Sequence, residues 1–157
     1  MNKLSILLQQ LHIDTNQAFS QADITRVVVH HDSRYTFYIS SPELMPLSNV
    51  KALKEAQHLF PYPCEFLFET TSNHFREEDV IEYSDYIMHH VLGNVPEMQS
   101  MTRDDMDLKD NILTLHTVNH IQCDSIKTQL NEMRTLLSGF GINIDLINLQ
   151  WLYRSHK

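Results

Sequence analysis

Apolar residues open the chain in a helical rhythm. Leu4, Leu7, Leu8 and Leu11 fall at i, i+3, i+4 and i+7, one stripe along a helix of about three turns. Asp14-Thr15 is expected to cap a short second turn ending near Phe19. From Ile24 the period shortens. Ile24 to His30 is rich in β-branched residues, and after the polar His31-Asp32-Ser33-Arg34 the residues Tyr35, Phe37 and Ile39 alternate with Thr36, Tyr38 and Ser40. Two such runs joined by a short polar link predict a β-hairpin. Pro42 and Pro46 end the second strand, and Ser48 is expected to cap a helix with Val50, Leu53 and Leu59 on one side. Pro61 and Pro63 stop that helix, and Cys64 to Thr70 predicts another strand, with Phe66 and Phe68 on the apolar face that Cys64 heads.

In the second half Asn73 is the expected N-cap of a helix whose first turns hold Glu77, Glu78 and Asp79, where carboxylates favour the helix dipole. Val80, Ile87 and Val91, with Tyr83 or Ser84 between them, mark its buried side until Gly93. Residues 94–111 read as irregular or weakly helical and very acidic. Ile112 to Val118 predicts a strand. Asp124 is expected to cap a helix carrying Ile126, Leu130, Met133 and Leu137, with Gly139 at its left-handed stop position. The last strand changes parity, from Ile142, Ile144 and Leu146 to Ile147, Leu149 and Trp151, which suggests a bulge or a strand buried on both sides.

The two halves share an element order, helix, strand or strands, helix, strand, with a doubled strand evident only in the first. The predicted class is α+β in two small modules, residues 1–72 and 73–157, parting near Thr71–Asn73. One continuous α+β domain is the alternative, because modules of about 70 residues are marginal alone and gain by packing together. A chain of 157 residues, 42% apolar and 20% charged, has a globular composition. Its longest apolar runs, such as Val27-Val28-Val29, fall far short of the roughly 20 residues that span a bilayer. No basic segment followed by a small-residue cleavage site is visible after Met1, so a soluble cytoplasmic protein without a membrane partner is expected.

Charge narrows the partners. Residues 1–72 hold 5 basic and 7 acidic side chains, a balance of −2; residues 73–157 hold 7 and 13, a balance of −6, together the net −8 of the chain. Phosphates must be neutralised by Lys and Arg, so this field repels nucleic acid. Ten histidines would make the acidity depend on pH near 6.

The residue types that carry chemistry are present but dispersed. His30-His31 beside Asp32 lie on a hairpin tip, where neighbouring side chains diverge. His89-His90 on a helix also diverge, and His116 and His120 fall on a strand and its exit, where four residues span about 13 Å. No metal site is expected from them. Cys64 and Cys123 are expected to be buried, reduced thiols; Cys123, just ahead of a helix, is the more reactive of the two. Asp104, Asp105, Asp107 and Asp110 lack the central Gly and the closing bidentate Glu of a calcium loop and read as a solvated acidic segment, or as a docking patch for a basic partner. Glycines at 93, 139 and 141 build neither a phosphate-cradling loop nor a Gly-x-x-Gly clamp. Tyr35, Phe37 and Tyr38 would stack bases only if exposed. No catalytic, cofactor-binding or metal-ligating residue is assigned.

One stretch carries a resemblance. Ile24 to His30 with Val27-Val28-Val29-His30, then Ser33-Arg34, Phe37, and Leu44-Met45-Pro46 ahead of a helix, resembles the extreme N-terminal region of PolC-type DNA polymerase III, the replicative polymerase α subunit of low-GC Gram-positive bacteria. That family carries a VVVH-x-x-S-(K/R) strand and turn, an aromatic second strand and an (I/L)LP before the next helix. The leading Leu7 to Leu11 helix and Phe140 to Asp145 are also similar. Tyr35-Thr36 departs from a pair that usually contains Trp, and the second half matches only by pattern and its glycine–phenylalanine ending.

The resemblance implies two small domains ahead of the nucleic-acid-binding OB fold, the proofreading exonuclease and the polymerase core. The first is similar to the polymerase-binding domain of the clamp-loader tau subunit, the second to a KH-type fold. On that footing the 157 residues are part of a much longer nucleotidyltransferase whose polymerase and 3'-5' exonuclease carboxylates lie elsewhere. The expected role is a non-catalytic accessory region acting through protein contacts in the replisome, with clamp-loader tau, clamp, primase or helicase as candidate partners. A single-stranded nucleic-acid-binding module of the same polymerase is the alternative, and a free-standing adaptor or small enzyme the third reading.

Overall fold

The computed structural model describes residues 2–72 and 74–151. The chain divides into two compact units, Met1–Asn73 with Gly139–Ile142, and His74–Ser138 with Asn143–Lys157. Each is an α+β unit built on a three-stranded sheet.

The first unit runs α1 (Lys3–Gln10), α2 (Gln17–Ser20), β1 (Asp23–Val29), β2 (Tyr35–Ser41), α3 (Leu47–Ala56), a 3₁₀ turn (Gln57–Leu59) and β3 (Cys64–Thr70). β1 and β2 form the expected antiparallel hairpin, Val29 opposite Tyr35 and Val27 opposite Phe37, with a bulge between Ile24 and Arg26. α3 then crosses back to lay β3 parallel to β2, Phe37 beside Phe66 and Ile39 beside Phe68. Leu4, Leu7, Leu8 and Leu11 join Phe19, Ile24, Val50 and Leu53 in the core.

Local signals are corrected at three points. Asn16 caps α2, rather than Asp14 or Thr15, accepting from the Phe19 N–H at 3.0 Å. Ser48 lies inside α3, which starts after Pro46 without a side-chain cap, and Leu59 is exposed because the helix tightens to a 3₁₀ turn before it. Neither thiol is fully buried: Cys64 and Cys123 are free and half-buried.

The second unit runs α4 (Glu77–Tyr86), a π-turn (Ile87–Val91), α5 (Pro96–Gln99), β4 (Met106–Lys109), β5 (Ile112–Thr117), α6 (His120–Lys127), α7 (Leu130–Gly139) and β6 (Leu146–Trp151). β4 and β5 are antiparallel and β6 is parallel to β5, so the strand order and directions repeat those of the first sheet. The irregular acidic stretch expected at 94–111 therefore contains a strand, and the doubled strand is common to both halves.

Asn73 lies outside the described residues; α4 begins after Arg76 with Glu77, Glu78 and Asp79 in its first turn. The extra residue of the π-turn rotates the buried face, so Met88 is enclosed and Val91 exposed. The helix expected from Asp124 onward is two helices. Asn119 caps the first, and its side chain accepts from the Gln122 N–H at 2.8 Å, which puts both Cys123 and Asp124 inside α6. Asn119→Ala should lower the stability of this unit by about 1 kcal/mol, read as a fall in thermal midpoint. The left-handed residue is Gly141, at φ +93°, rather than Gly139, and Ile142 and Ile144 are buried ahead of β6 rather than part of it.

Candidate functional site

The densest group of rings lies at one end of the first sheet. Tyr35 and Phe37 project from β2 on the face they share with Phe66 of β3, and Pro61 and Pro63 bracket Tyr62 in the connection that brings Phe60 and Tyr62 back over them. The Tyr35 N–H donates to the Pro63 carbonyl at 2.9 Å, which pins that connection to the head of β2. Tyr35 is stacked on Tyr62 at 5.3 Å between centroids and meets Phe60 edge-on at 5.1 Å; Phe37 meets Phe60 at 5.2 Å and stacks on Phe66 at 5.7 Å. Offset-stacked and edge-to-face pairs of this kind each add about 1 kcal/mol beyond their burial.

The group is closed on the core side and open on the other. Phe37 and Phe66 are buried, whereas Tyr62 is 46% and Leu59 43% exposed. Across the hairpin Val27 and Val29 share this face and are 42% and 57% exposed. An apolar strip with a rigid aromatic end is what a protein-binding surface offers. Tyr38 points the other way, beneath the Arg26 guanidinium at 3.9 Å.

The dispersed polar residues stay dispersed. His30 does not meet His31; its Nε2–H donates to Thr36 Oγ1 at 2.9 Å, and the Thr36 hydroxyl donates to Glu65 Oε1 at 3.0 Å. This series, from the residue after β1 through β2 to β3, is not legible in the sequence. Thr36 is buried and its proton engaged, so no nucleophile is presented.

His89 Nδ1 lies 2.9 Å from the Asp85 carbonyl and its Nε2 3.2 Å from that of Gln99, tying the π-turn to α5, while His90 rests on the Tyr86 ring. His116 Nε2–H donates to Asp107 Oδ2 at 2.7 Å across β4 and β5, and His120 sits against Trp151. Asp105 closes a capping box with Thr102, so the four aspartates at 104–110 do not converge. Among the described residues no group of three or more His, Cys, Asp or Glu is placed to hold a metal ion. Burial pushes the Cys64 thiol up, away from its reactive thiolate form. Burial also lowers Lys54, whose ammonium lies 5.1 Å from the centre of the Phe140 ring.

The site lies in a small α+β unit, with its exposed strip on the hairpin and the proline-bracketed turn. Residues 3–58, from α1 through α3, match the family model described as DNA polymerase III polC-type N-terminus I. The match includes the Val27-Val28-Val29-His30 strand, Ser33-Arg34 and Leu44-Met45-Pro46. No curated protein matches the sequence. Among the described residues no helix is long and apolar enough to cross a membrane.

Proposed function

We propose that this chain is a non-catalytic accessory region of a PolC-type DNA polymerase III that works in DNA replication by holding another replisome protein. The observation that carries this reading is the exposed apolar strip of Val27, Val29 and Tyr62 in and beside the family-matched segment. Polymerisation and 3'-5' proofreading belong, on this reading, to other domains of that cytoplasmic polymerase. Calorimetry of the purified chain against clamp-loader tau, clamp, primase and helicase tests it. One of the four should bind with micromolar or tighter affinity, and Tyr62→Ala should weaken that complex by about tenfold or more, as loss of an aromatic anchor does. Heat-silent titrations with all four would defeat the proposal.

A second reading draws support from the second unit, whose paired helices α6 and α7 beside a three-stranded sheet suit a KH-type module for single-stranded nucleic acid. Against it stand the −6 balance of residues 73–157 and the Thr128-Gln129 connection between those helices, which has no glycine to clamp a backbone. Salt-sensitive micromolar binding of labelled single-stranded DNA would favour this reading over the first.

A further inference from the structure

The edges of the two sheets are treated differently. β4 is only four residues long, and its Leu108 N–H is taken by the Glu77 carboxylate at 3.0 Å. β3 is approached by Gly141, where an added Cβ would meet Thr70 and the Phe68 carbonyl. β1 has seven residues and neither device.

Its outward groups follow from the ladder. Bonded and non-bonded pairs alternate along antiparallel strands. The His30 N–H donates to the Arg34 carbonyl at 2.8 Å, so the bonded pairs continue through Val28–Thr36 and Arg26–Tyr38. Val27 and Val29, opposite Phe37 and Tyr35, therefore turn their N–H and C=O groups away from β2. Two donor–acceptor sets about 7 Å apart, each beside an exposed valine, form a template for another strand.

We propose that β1 is a docking edge that an extended segment of a partner protein joins as a fourth strand, apolar at alternate positions and acidic between them. The apolar preference comes from Val27 and Val29, which continue the strip toward Tyr35 and Tyr62. The acidic preference comes from charge. Arg26 is the one formal charge between Ile24 and Val29, and it is exposed. The neighbouring charges are engaged, Asp23 by the Leu4 and Ile24 N–H groups and Arg34 by Asp32. Main-chain bonds would supply affinity and the valines and Arg26 selectivity, as in strand addition generally. This deepens the accessory reading and rests on it.

The test titrates the isotope-labelled chain with a heptapeptide alternating valine and glutamate, and separately with its valine–lysine counterpart. Exchange of the Val27 and Val29 amides should slow about tenfold or more with the glutamate peptide and stay unchanged with the lysine one. Val27→Pro removes an outward N–H at an edge position where proline is tolerated, so the fold should persist by amide dispersion while protection is lost. Arg26→Glu should reverse the peptide preference. Protection elsewhere, or none with either peptide, overturns the proposal. So does slow exchange in the free chain that depends on its concentration, which would make a second copy the occupant. A replisome protein held equally well by Val27→Pro and the unaltered chain overturns the edge alone, whereas failure of all four replisome proteins to bind the unaltered chain defeats the accessory reading and not the peptide result.

Discussion

Gly141→Ala should destabilise the first unit by about 2–5 kcal/mol. A Cβ at this position would lie 2.6 Å from Thr70 Oγ1 and 3.4 Å from the Phe68 carbonyl oxygen, so the side chain of Thr70 or the approach of the segment to β3 must give way. Forcing an extra methyl into such a contact costs about 1–3 kcal/mol. The backbone adds a second penalty, because φ is +93°, where a residue with a Cβ is strained by about 1–2 kcal/mol. The two parts separate experimentally. Thr70→Ala removes a buried hydroxyl that has no hydrogen-bond partner, and in the Gly141→Ala background it should recover the steric part and leave the conformational part. Urea unfolding of the two single variants and the double variant would show this as a coupling of about 1 kcal/mol or more. Additive effects would mean that the strain of φ alone sets the cost.

What was legible in the sequence was legible where one physical signal dominated. The leucine stripe of α1 and the alternation of β2 and β3 appear over the residues expected, because one face of each is buried and the period alone fixes it; β1, largely exposed beyond Ile24, is marked instead by its β-branched run. β4 is hard to read from sequence because it is short and half charged: Met106 and Leu108 are separated by Asp107, and Lys109 follows. Its turn was the overlooked signal. Asp110 and Asn111 both adopt positive φ, 52° and 62°, between Lys109 and Ile112, as a two-residue hairpin link requires. The break between α6 and α7 was hidden for the opposite reason, since Ile126, Met133 and Leu137 are buried on both sides of it and keep the helical period running. Asn119 with Gln122 three residues on was the start signal, Gln122 reaching back to the Val118 N–H at 2.9 Å. The candidate site was half legible. Tyr35 and Phe37 are readable as aromatic candidates, but Tyr62 and the open edge of β1 depend on how the chain returns after Pro61 and on which amides the ladder leaves over, and both are properties of pairing.

Tyr83→Ala should be the most damaging single truncation in the second unit, at about 3–5 kcal/mol, because it empties the space of a fully buried ring beside Val80 and Ile87. A stability of about 5–15 kcal/mol is usual for a whole protein, so such a loss leaves little. Tyr83→Phe keeps the ring and isolates the phenol. Burial, reinforced by the carboxylates of Glu82 and Asp79, pushes the phenol well above its ordinary range, so the folded unit holds its proton after an unfolded chain has released it. The unfolded tyrosine titrates near pH 10. The stabilisation due to this proton is thus fully present below about pH 10 and is lost as pH rises toward the folded value, by up to about 1.4 kcal/mol per pH unit. The phenylalanine variant lacks that limb. At pH 7 it should be the less stable of the two, by about 1 kcal/mol for the missing hydroxyl. The gap should close and then reverse as pH is raised from 10 to 11, in urea unfolding followed by circular dichroism. Parallel pH profiles for the two proteins would show that Tyr83 releases its proton as readily folded as unfolded.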